Sequence, residues 1–87
     1  MKIKDGFILR EVAGSSIVVA VGDAVKEFNG VINLNETGAF LWKQIEKGAD
    51  ESALISALLD EYDVDKETAE KDVKTFIEKL QQAKLLK

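Results

Sequence analysis

The spacing of apolar positions changes once along the chain, near Leu34. Before it they come in short runs rich in β-branched residues, FILREV over residues 7–12 and SIVVAV over residues 16–21. Such runs, separated only by Ala13, Gly14 and Ser15, predict a β-hairpin with a three-residue connection. In the second run Ile17, Val19 and Val21 fall on one face and Ser16, Val18 and Ala20 on the other. Both faces are fairly apolar, which predicts a central strand. A third short run, residues 31–34, follows the turn dipeptide Asn29-Gly30. Residues 22–28 are compatible with a loop or with a fourth strand.

Beyond Leu34 the period becomes helical. Leu41, Trp42 and Ile45 predict a helix over residues 36–47, stopped by Gly48. Leu54, Ile55, Leu58, Leu59 and Tyr62 form one stripe of a second helix over 51–62, and Ala69, Val73, Phe76, Ile77 and Leu80 one of a third over 66–83. Asn35, Asp50 and Asp65 are suited to cap the three N-termini, because their side chains can accept from an unpaired first-turn N–H. Each cap is flanked at staple spacing by an apolar pair: Leu34 with Ala39, Ala49 with Leu54, Val64 with Ala69. Gly38 inside the first helix costs about 1 kcal/mol against alanine; a close approach by a neighbouring element accounts for it, and so does a plain tolerated glycine. The pattern predicts a single α+β domain over residues 1–87. In it a three-stranded antiparallel sheet is followed by three helices, in a winged helix-turn-helix-like arrangement.

Composition narrows the chemistry. The 87 residues include no cysteine and no histidine, which removes thiolate nucleophiles, the commonest general base and the commonest zinc ligands. The acidic run DEYDVD lacks the glycine and distal glutamate of a calcium loop, and the glycines Gly14, Gly22 and Gly30 are isolated, so no metal or phosphate loop is expected. These counts predict a chain without catalysis, cofactor or metal. No apolar run approaches the ~20 residues that cross a bilayer, and the N-terminus has no signal-peptide pattern. A cytoplasmic location away from membranes is the expectation.

Three helices after a sheet invite a comparison with DNA-binding regulators, whose recognition helix needs exposed cations. Here Lys66, Lys71, Lys74 and Lys79 are matched by Glu67, Glu70, Asp72 and Glu78, with Glu67–Lys71 and Glu70–Lys74 at ion-pair spacing. Residues 50–65 carry six acids and no base, and the net charge is −4. DNA binding is the alternative reading, and charge opposes it. A module working through backbone and apolar surface fits better, since an exposed strand edge accepts an extended peptide without reactive side chains. The same edge permits a homodimer.

The stretch LNETGAFLW at 34–42, Gly48, LLDEYDV at 58–64, and the ending in which Asp72-Val73, Phe76-Ile77 and Leu80 lead to Leu85-Leu86 resemble the PqqD family. These small proteins are named for the pyrroloquinoline quinone pathway and are also known as precursor-peptide recognition elements. The resemblance spans about residues 5–87. It implies a non-catalytic module that binds the leader of a ribosomally made precursor peptide as an added strand. The leader is then presented to a modifying enzyme, often a radical S-adenosylmethionine enzyme. Carried to this chain, it places the docking edge at Val31, Ile32 and Asn33, with a facing wall at Asp72, Thr75, Phe76 and Lys79. Val73, Ile77 and Leu80 are expected in the core, and the net acidity suggests a leader with basic residues beside the helices.

Overall fold

The computed structural model describes residues 1–26 and 30–87. Strands β1 (Phe7–Val12), β2 (Ser15–Ala20) and β3 (Val31–Leu34) form an open antiparallel sheet in the order β1-β2-β3. The helices α1 (Glu36–Glu46), α2 (Glu51–Glu61) and α3 (Lys66–Gln82) follow. The expected hairpin is present, but its connection has two residues instead of three. Ala13 and Gly14 both take positive φ, 52° and 81°, and Ser15 already pairs with Val12. Two successive left-handed residues match the right-handed twist of the flanking strands, so Ser15 is drawn into the ladder. Of the ambiguous segment, Gly22–Lys26 is a short 3-10 helix that buries Ala24. Phe28 and the turn residue Asn29 lie outside the described residues.

Gly6 is required where the 3-10 helix crosses the start of β1. Its φ is +91°, and a Cβ there would sit 2.6 Å from that of Ala24. The Val21 N–H donates to the Gly6 carbonyl at 2.7 Å, closing the contact.

Register decides which face of the sheet is covered. Phe7 pairs with Ala20, Leu9 with Val18, Val18 with Ile32, and Ser16 with Leu34. Directly opposed residues share a face, so these side chains point toward the helices, where Phe7, Val18 and Leu34 are buried. The other face carries Ile8, Arg10, Val12, Ile17, Val19, Val31 and Asn33, none of them buried. The central position expected for β2 follows from this pairing.

All three caps form as expected. Asn35, Asp50 and Asp65 accept from the backbone N–H groups of Gly38, Ala53 and Thr68 at 2.7, 2.8 and 2.8 Å. At Asp65 the Thr68 backbone and hydroxyl hydrogen bonds hold the carboxyl below its ordinary pKa. Helix α1 ends with Gly48 at φ +96°, the Gly48 N–H donating to Ile45 and the Ala49 N–H to Gln44. Helix α3 ends in the same way with a lysine: Lys84 has φ +60°, its N–H donates to Gln81, and the Leu85 N–H donates to Leu80. Both are Schellman closures.

The core joins sheet and helices through Leu41, Trp42, Ile45, Leu54, Leu58, Ala69, Val73, Phe76, Leu80 and Leu85. Val73 and Leu80 are buried as expected, while Ile77 is half-buried. On α2 the predicted stripe narrows: Leu54 and Leu58 are buried, Ile55 is half-buried, and Leu59 lies at the exposed rim. The ion pairs expected on α3 also differ. Lys66 approaches Glu70 at 3.9 Å, whereas Glu67–Lys71 and Glu70–Lys74 are not among the close pairs of the described residues, because solvated chains gain little from pairing.

A segment near each terminus closes the fold. Ile3 bridges Leu86, the Lys4 N–H donates to the Leu85 carbonyl at 2.8 Å, and the Lys87 N–H donates to the Lys2 carbonyl at 2.9 Å. Among the described residues, no helix is long and apolar enough to cross a membrane.

Candidate peptide-docking groove

Among the described residues strand β3 pairs with β2 alone, so the backbone groups of its other edge make no ladder bonds. Their direction is fixed by one contact. The Lys79 ammonium on α3 donates to the Asn33 carbonyl at 3.3 Å, which shows that this carbonyl faces away from β2. In an antiparallel ladder the N–H and C=O of one residue point to the same side and alternate along the strand. Asn33 and Val31 therefore present their backbone groups at the free edge, while Ile32 and Leu34 turn theirs toward β2. Side chains alternate independently: Ile32 and Leu34 pack toward the core, and Val31, 54% exposed, points to the open face.

Between this edge and α3 runs an open groove of about 640 Å³. Its lining includes Asn33, Asp72, Thr75, Phe76 and Lys79 together, five of the seven residues expected from the sequence. Val31 and Ile32 lie farther along the same strand, outside that lining. Phe76 is 7% exposed and, with Leu34 and Leu41, forms the apolar floor. The sequence reading missed Asn35, Thr37, Gly38 and Lys71. Lys71 was within reach, since Lys71, Thr75 and Lys79 recur every four residues and make one row along α3.

The cap and the groove share atoms. A Cβ on Gly38 would lie 3.1 Å from Asn35 Oδ1 and 3.3 Å from the Phe76 ring. The close approach of α3 thus explains the glycine in α1, and the first turn of α1 sits directly against the groove floor.

The groove lining carries Lys71 and Lys79 against Asp72, a charge opposite in sign to the −4 of the chain. A second hollow meets it at Asn33, Leu34 and Asn35 and continues past Phe40, Lys43 and Tyr62. There Phe40 and Tyr62 meet edge to face at 5.6 Å, and Lys43 pairs with Glu11 at 3.6 Å. Burial, followed by the charges of Glu36 and Glu61, raises the Tyr62 phenol above its ordinary pKa, and a hydrogen bond with Thr37 partly offsets this. Among the described residues no cluster of acidic side chains could hold a metal ion.

An open three-stranded sheet followed by three helices, with an unpaired edge beside a groove on the last helix, defines a small α+β module built around a strand edge. The chain belongs to the family described as coenzyme PQQ synthesis protein D (PqqD), whose model matches residues 16–86. Two solved structures share the fold. One is described as TbiB1 in complex with the TbiA(beta) leader peptide, at 24% identity and a TM-score of 0.81, covering 100% of this chain and 95% of that one. The other is a lasso peptide synthetase B1 complexed with the leader peptide, at 17% identity and a TM-score of 0.75, covering 93% and 89%. No curated protein matches the chain.

Proposed function

We infer that this chain binds the leader segment of a ribosomally made precursor peptide as a fourth strand on β3 and presents it to a modifying enzyme. The observation that carries the reading is the outward-facing carbonyl of Asn33 at an unpaired edge, beside a groove with an apolar floor. Strand addition draws affinity from main-chain hydrogen bonds and selectivity from alternate side-chain pockets. Here the Val31 and Asn33 backbone supplies the bonds, and Phe76, Thr75, Asp72 and Lys79 supply the wall. The family and the two structures described with leader peptides support this reading.

The chain acts by holding and orienting the peptide, and the bond-making chemistry belongs to its partner. That partner is a radical S-adenosylmethionine enzyme or another enzyme of precursor modification. The DNA-binding alternative finds no support, since residues 50–65 carry six acids and no base. Titration of the isotopically labelled chain with the leader of the precursor encoded nearest to it tests the proposal. Amide shifts are expected at residues 31–33 and along α3. Saturable binding with shifts confined to other surfaces overturns the strand-addition reading.

A further inference from the structure

We propose that Lys79 is the specificity-determining residue of the groove, selecting an incoming strand that carries a carboxylate beside the residue paired with Asn33. The inference rests on the strand-addition reading and names the peptide chemistry it takes. In the free chain the Lys79 ammonium donates to the Asn33 carbonyl. A backbone N–H of an added strand takes that same oxygen. The ammonium then has to share or leave its acceptor, and where the added strand covers it and displaces the water around it, the charged donor needs a new acceptor from the peptide.

Geometry says where the replacement comes from. Residues opposite Val31 and Asn33 point their side chains to the open face, as those two do, while residues opposite Ile32 and Leu34 point inward to the groove. An inward-facing Asp or Glu next to the partner of Asn33 therefore arrives beside the ammonium as the carbonyl is taken. The surrounding charge agrees. Of the charged groups lining the groove, Lys71 adds to the positive side and Asp72 alone opposes it. The net acidity of the helical half thus misleads about the peptide, because the acids lie mostly on other faces. An unpaired edge also risks pairing with another chain, and lysines on edges suppress that. The same ammonium that guards the empty edge reads the peptide that fills it.

The test uses the full chain and a displayed library of random peptides, panned separately on wild type, Lys79→Gln, Lys79→Arg and Lys79→Glu. Lys79 is exposed, so these variants retain the fold. Peptides selected on wild type are resynthesised with the enriched acidic residue and with its amide counterpart, and bound peptides are located by amide shifts. Wild type is expected to favour the acidic peptide about fivefold, the scale of one partly exposed charge pair. The preference persists in Lys79→Arg, falls to about one in Lys79→Gln, and reverses toward a basic residue in Lys79→Glu. It also shrinks with added salt. An equal ratio on wild type and Lys79→Gln, with shifts at residues 31–33, overturns the specificity proposal and leaves strand addition standing. Selected peptides whose shifts avoid residues 31–33 overturn both.

Discussion

Backbone conformation at single residues accounts for two closures that look alike and differ in cost. Helices α1 and α3 both end in a Schellman turn, but α1 places Gly48 at the left-handed position and α3 places Lys84 there. A side chain at positive φ carries strain that glycine lacks. Lys84→Gly is expected to raise stability by about 0.5–1 kcal/mol, the relieved strain exceeding the added freedom of the unfolded chain; the denaturant midpoint reads it. Tyr62 is the only tyrosine, so tyrosinate absorbance reports it alone. Its ionisation is expected above the ordinary value of 10.0, with Glu36→Gln moving it back toward that value. The folded chain holds the phenol proton more tightly than the unfolded one. The stability contributed is therefore complete below pH 10 and is lost as pH rises through the raised value.

Among the elements, β3 contributes most to the site for its length. Its four residues divide by alternation into two tasks, Ile32 and Leu34 pairing with β2 and Val31 and Asn33 facing the free edge. Proline at position 33 deletes an N–H that makes no bond to β2, so Asn33→Pro is expected to fold and to weaken leader binding about tenfold. Circular dichroism and a binding titration separate the two effects. A destabilised sheet with unchanged affinity goes against the assignment of the free edge. Much of β3 and of the α3 wall was legible in sequence. Apolar period marked Phe76 as inward, and the resemblance placed Asp72, Thr75 and Lys79 opposite the strand. Lys71 is less legible, because its spacing from Glu67 also suits an ion pair, an interaction too weak to hold a solvated side chain in place.

For the molecule as a whole, closure depends on residues that follow the last helix. Leu85 is completely buried and belongs to the same core as Val18, Trp42 and Leu80, while its carbonyl accepts from Lys4. Leu85→Ala is expected to cost about 2–5 kcal/mol, as for a leucine in the middle of a core helix, and calorimetric or denaturant unfolding measures it. A cost below about 0.5 kcal/mol means that the segment only lies on the surface.

Local physics made the strands, helices and caps readable without a structure, since apolar period, β-branching and N-cap chemistry all act within a few residues. Composition alone excludes histidine and cysteine chemistry, whatever the fold. What only the tertiary structure decided are the relations across the chain: the two-residue hairpin, the narrowed stripe on α2, the role of Gly38 against Phe76, and above all the contact of Lys79 with Asn33, 46 residues apart. Charge summed along a sequence carries no direction, so net acidity pointed to a basic peptide. The packing of α3 against the sheet turned two of its lysines toward the groove, and that orientation sets the local field.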